Sequence, residues 1–63
     1  MNIELHVNER YLVKFYPFYG SIIDEIKVLE LNDSKDYVKY RHMLSDMVAW
    51  RNVRDIEILT KLN

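Results

Sequence analysis

Cysteine is absent from this chain, and proline, glycine and tryptophan occur once each in 63 residues. The missing thiols exclude a disulfide framework and the thiolate zinc sites that hold many small domains together. The lone glycine, Gly20, excludes the G-x-G-x-x-G and G-x-x-x-x-G-K loops that bring backbone amides up to phosphates. Charge of one sign is scarce too. Nine Lys and Arg face ten Asp and Glu, so no overall field draws the chain toward nucleic acid or an anionic membrane. Residues 1–32 carry a net −2 and residues 33–63 a net +1, too small a difference to choose a partner. No run approaches the roughly 18 apolar residues that span a bilayer, and Met1-Asn2-Ile3-Glu4 lacks the charged flank and apolar block of an export signal. The expectation is a cytoplasmic protein forming a single domain over residues 1–63, with no membrane contact and no cofactor.

What is present is aromatic. Five of the eight aromatic residues fall in Tyr11-Leu12-Val13-Lys14-Phe15-Tyr16-Pro17-Phe18-Tyr19, with the proline inside the run and the glycine just after it. Large flat side chains with few rotatable bonds give contact area at small entropic cost, both in cores and where proteins hold partners. Apolar residues make up 49% of the chain, yet a chain this short buries only about 60% of its unfolded surface. With disulfides excluded, self-association is the remaining supplement, and a homodimer is expected.

Ile3, Leu5 and Val7 alternate with Glu4 and His6, and Tyr11, Val13 and Phe15 alternate with Leu12, Lys14 and Tyr16. These period-two runs predict a β-hairpin turning at Asn8-Glu9 and ending at Pro17, which cannot donate to a ladder. Residues 21–31 fit either a helix capped by Ser21 or a strand over about 25–31. The strand is preferred, because a hairpin alone is unstable in water. Asn32-Asp33-Ser34 marks a break, and Asp33 and Asp36 suit the start of a helix. Tyr37, Tyr40, Leu44, Met47, Val48 and Arg51 then recur at helical spacing, flanked by Met43 and Trp50, with Lys35, Lys39, His42 and Asp46 opposite. Ile56, Ile58 and Leu62 predict a closing strand. The predicted fold is α+β: three or four mainly antiparallel strands packed against one amphipathic helix over about 33–51. One helix would cover only about half of such a sheet.

No constellation for catalysis emerges. Ser21, Ser34 and Ser45 have cap, turn and helix positions and no His in an activating relation. Asp24 and Glu25 are adjacent and point apart. His42 and Asp46, four apart on the predicted helix, would supply two metal ligands with nothing to complete the set, so no metal is expected. The chain therefore reads as a non-enzymatic protein-binding module acting by surface occlusion, with Tyr16, Phe18, Tyr19, Trp50 and Arg51 as partner-binding residues. Its partners would be a second copy and a larger protein target. Usage rich in Ile, Asn, Lys and Tyr and poor in Gly, Ala and Pro suits a phage or mobile-element accessory or inhibitor protein. The alternative is a nucleic-acid-associated dimer contacting phosphates through Arg41, Arg51 and Arg54.

Overall fold

The computed structural model describes residues 4–16 and 22–62. It is all-β: β1 Arg10–Phe15, β2 Ile22–Leu31, β3 Tyr37–His42, β4 Val48–Asn52, a 3-10 turn Val53–Asp55, and β5 Ile56–Lys61. The strands form one sheet in the order β4-β3-β2-β1-β5, and every neighbouring pair is antiparallel.

That order places β4 and β5 at opposite edges although only residues 53–55 separate them. In a flat sheet five strands would hold those edges roughly 19 Å apart. The chain from Asn52 to Ile56 spans at most roughly 14 Å fully stretched, and less when wound as a 3-10 turn. The sheet must therefore curl until its edges approach, which encloses one core. Two irregularities in register, between Leu12 and Val13 against β5 and between Val28 and Glu30 against β3, supply local bend and twist.

The core is the inner face of this open barrel: Tyr11, Val13 and Phe15 from β1, Ile26 and Val28 from β2, Val38 and Tyr40 from β3, and Ile56 from β5. Period two holds along each strand, and the β2 irregularity resets it. Leu29 drops out of the pairing, so Leu31 comes opposite Val38 and packs on the core. The preference for a strand at 25–31 is met and extends back to Ile22.

The predicted helix over 33–51 does not form, and the α+β expectation is corrected to all-β. Tyr37-Val38-Lys39-Tyr40-Arg41-His42 alternates as well as it repeats at helical spacing, and it is rich in residues that favour strands. Burial decides between the periods, since Val38, which the helical stripe omitted, is fully buried beside Tyr40. Both flanking turns use left-handed backbone, at Lys35 (φ 61°) and Asp46 (φ 60°). In the first, the Lys35 N–H donates to the Asn32 carbonyl (2.9 Å) and the Tyr37 N–H to Asn32 Oδ1 (2.9 Å). In the second, the Asp46 N–H donates to the His42 carbonyl (2.8 Å), which reverses the chain where a helix would continue.

The predicted N-terminal hairpin is also corrected. Residues 4–6 are irregular and β1 pairs with β2 and β5 instead. The buried Tyr11 ties this segment down: its hydroxyl accepts from the His6 N–H (2.8 Å) and has the Glu4 carbonyl (3.1 Å) and Glu9 carboxylate (3.2 Å) as acceptors for its own proton. β1 ends at Phe15, and the break expected at Pro17 lies outside the described residues.

Lys35 is the least suited residue to its backbone. Left-handed geometry costs a non-glycine residue roughly 1–2 kcal/mol, against about 0.5–1 kcal/mol for the extra unfolded-state freedom of glycine. Lys35→Gly is expected to raise the melting temperature by about 2–8 °C in a thermal circular-dichroism scan, and a lower value would refute the turn geometry. A second expectation concerns Glu9. Its hydrogen bond from Lys61 (2.9 Å), helped by the Tyr11 hydroxyl, holds its carboxyl below the usual 4.5. A depressed folded pKa stabilises the fold above the ordinary carboxylate range, and that gain disappears as pH falls through the folded value. Glu9→Gln should therefore be less stable than wild type to urea at neutral pH, with the difference closing as pH falls below the ordinary carboxylate range.

Candidate functional site

Alternation that sends Val38, Tyr40 and Ala49 inward sends their neighbours outward. Lys39 lies opposite Trp50 and Arg41 opposite Val48, while Tyr37 lies opposite Asn52. The outer face of β3 and β4 thus gathers Tyr37, Val48 and Trp50, each about half exposed (48%, 45% and 49%), beside two cations. In the β3–β4 turn Met47 and Leu44 are exposed too, Leu44 at 92%, although Met47, opposite the inward His42, lies on the other face from Val48. The cations continue across the sheet, because Arg41 is opposite Lys27 and Lys27 opposite Arg10. Arg10 also pairs with Glu25 at 3.3 Å.

The backbone of β4 is equally open. Pairs that exchange hydrogen bonds alternate with pairs that do not along an antiparallel ladder. The His42 N–H donates to the Met47 carbonyl (2.8 Å) and the Val53 N–H to the Asp36 carbonyl (2.7 Å), so both of those pairs are bonded. Counting between them, Arg41–Val48 and Lys39–Trp50 are non-bonded pairs. The N–H and C=O groups of Val48 and Trp50 therefore point to the free side of the sheet, where no described residue meets them. The other edge differs. On β5, Lys61 pairs with Glu9 and Glu57 accepts from the Tyr16 hydroxyl, so charge guards that strand.

The residues expected to bind partners are scattered. Trp50 belongs to the outer strip. Arg51, its neighbour in the strand, turns inward: its Nε donates to the Tyr40 hydroxyl (3.2 Å) and its guanidinium lies 4.8 Å from the Phe15 ring centroid. Tyr16 is 47% exposed at the β1–β5 side, and its hydrogen bond to Glu57 raises its hydroxyl pKa. Phe18 and Tyr19 lie outside the described residues. Arg41, Arg51 and Arg54 share no face, since Arg41 is outward, Arg51 inward and Arg54 in the 3-10 turn. His42 and Asp46 do not share a helical face either. His42 Nδ1 lies 2.6 Å from Asp24 Oδ2, with its ring against Phe15 and Tyr40. Val48, Tyr37, Lys39 and Lys27 were missed, although alternation in 37–42 carried the signal for Tyr37 and Lys39.

Among the described residues no three His, Asp or Glu side chains gather as metal ligands, and no helix is long and apolar enough to cross a membrane. A hollow of about 190 Å³ lined by Glu4, Leu5, Leu31, Lys35, Val53 and Ile58 is smaller than the roughly 300–1,000 Å³ of ordinary small-molecule sites. A more open trough of about 450 Å³ runs past Asp36, Tyr37, Asn52 and Arg54. Compared with known protein families, curated proteins and solved structures, the chain matches none.

Trp50 opposite Lys39 and beside Arg41 generates a direct optical expectation. In dilute protein at low salt, iodide should quench the single-tryptophan fluorescence more strongly than caesium, with the difference shrinking as salt screens the cations. Equal quenching by both ions would remove Trp50 from this face.

Proposed function

We propose that the chain is a small non-enzymatic protein-binding module that receives an extended segment of a larger protein along β4 and acts by occluding that segment. The observation that carries this reading is the coincidence, at Val48 and Trp50, of open backbone groups with exposed apolar side chains. Strand addition uses these two ingredients together: main-chain hydrogen bonds supply affinity and alternate side chains supply selectivity. A half-exposed Trp in such a place is also the residue type most enriched among binding hot spots. Tyr16, on the β1–β5 side, would form a second contact away from β4, with Phe18 and Tyr19 as further partner-binding residues. A cytoplasmic setting and a role as a phage or mobile-element accessory protein belong to the same proposal, the latter on residue usage alone.

A second reading is supported by the Arg10–Lys27–Arg41 row, which together with Trp50 combines cations and an aromatic on one sheet face, as single-strand nucleic-acid surfaces do. This row replaces the Arg41, Arg51 and Arg54 set, which does not converge.

Affinity capture from cell lysate with wild type and Trp50→Ala, each with and without nuclease, tests both. The protein-binding reading expects one protein retained after nuclease, with its affinity lowered at least about tenfold by the substitution. Recovery that disappears with nuclease, and that Lys27→Glu abolishes, would establish the nucleic-acid reading instead.

A further inference from the structure

We infer that, without a target, the open edge of β4 is filled by β4 of a second copy, paired antiparallel about a two-fold axis at Ala49, so that Val48 of each copy lies opposite Trp50 of the other. The inference rests on the reading of β4 as a recognition edge and names its first occupant.

The backbone selects this register. Only Val48 and Trp50 aim both N–H and C=O at the open side within the apolar part of the strand. An axis at Ala49 makes each exchange two hydrogen bonds with the other across the interface, four in all. An axis at Trp50 would instead set Val48 against Asn52. Asn52 caps the 3-10 turn, its side chain accepting from the Arg54 N–H at 3.0 Å, and the carbonyl of a cap residue is taken by the first bond of the turn. That register lacks acceptors at both ends.

Side chains agree with the backbone. At the axis the two Ala49 residues form a non-bonded pair, the kind in which α-carbons approach to about 4.5 Å, and a methyl group fits there. On the outer face Val48 meets Trp50, an aromatic with β-branched pair of the sort that stabilises neighbouring strands. Met47 falls opposite Arg51, so no like charges face each other. The surface is self-complementary, as a two-fold interface requires, and β4 carries none of the outward charge or proline that edge strands use against such pairing.

The absence of native cysteine makes the register directly measurable. A disulfide needs α-carbons within about 7 Å, a condition met in this register by Ala49 with Ala49 and failed by Trp50 with Trp50. Sedimentation velocity on the full chain should show a monomer–dimer equilibrium. Under a glutathione redox buffer, Ala49→Cys should form a covalent dimer at least about tenfold faster than Trp50→Cys, the ratio expected when only one pair is within bonding distance. Trp50→Pro removes an open-edge N–H without touching a bond to β3, and should weaken the dimer at least about tenfold while keeping the wild-type circular dichroism. Val48→Lys serves the same end should the proline variant not fold. A chain monomeric at millimolar concentration overturns the self-pairing and leaves the target-binding reading to the Trp50→Ala capture. Cross-linking of Trp50→Cys as fast as Ala49→Cys overturns the register. A dimer untouched by both edge variants overturns β4 as its interface.

Discussion

Three residues, Val53 to Asp55, carry the chain from one edge of the sheet to the other, and the rest of the fold answers to that short tether. It forbids a flat sheet, and a sheet forced to curl puts all its inward side chains into one volume. This is how so short a chain reaches complete burial of Tyr11, Ile26, Val13, Val28 and Val38 without a helix to cover them. β5 lands beside β1, setting Ile56 opposite Phe15, and Phe15 stacks at 5.4 Å on Tyr40 from β3. The tether fixes the edges as well. It turns the chain away at Asn52, so β4 ends with its outer side unpaired.

Arg51 shows how closely the interior is arranged around that curl. A guanidinium on the inner side of an edge strand is ordinarily costly, because a charge leaving water must be paid for in contacts. Here it lies over the Phe15 ring and donates to the Tyr40 hydroxyl, both on the inner face. Cation–π contacts gain as water is excluded. The strand's one charge is thereby drawn inward and its outward positions are left apolar. The exposure of Val48 and Trp50 and the internal engagement of Arg51 are two aspects of the same alternation.

Residues 21–31 fitted a helix as well as the preferred strand at 25–31, whereas β1 and β5 were legible because their inward apolar residues alternate. The β3–β4 region was not, for a specific reason: Tyr37, Tyr40, Leu44, Met47, Val48 and Arg51 satisfy a helical period only by skipping Val38 and by running across the Asp46 turn. A left-handed aspartate leaves little trace in composition, and neither turn contains the glycine or proline that usually announces one. Leu29 hides a second ambiguity, since one unpaired residue reverses which side chains face the core. Trp50 was singled out from its type alone, and the structure leaves it half exposed on the outer face. The open backbone beside it was invisible, because which amides lack partners depends on strand order, and strand order follows from the tether.

The two readings of the outer face are linked by geometry. The row Arg10, Lys27, Arg41 ends at Val48 on β4, so pairing through that edge would carry the row onto Trp50 of a second copy and then to Lys39 on β3 of that copy. Like charges directly opposite one another destabilise a sheet, and three strands accept that cost here, with Arg10 alone of the three cations given a carboxylate among the described residues, at 3.3 Å. A single row is a weak anion surface by any count of phosphates. Two rows joined through an aromatic centre would act together, and linked weak sites gain strength through effective concentration without any new contact. The state of the β4 edge would thus bear on both readings: a target segment there would separate the cationic rows, and a second copy in the proposed register would set them two residues apart on one outer face.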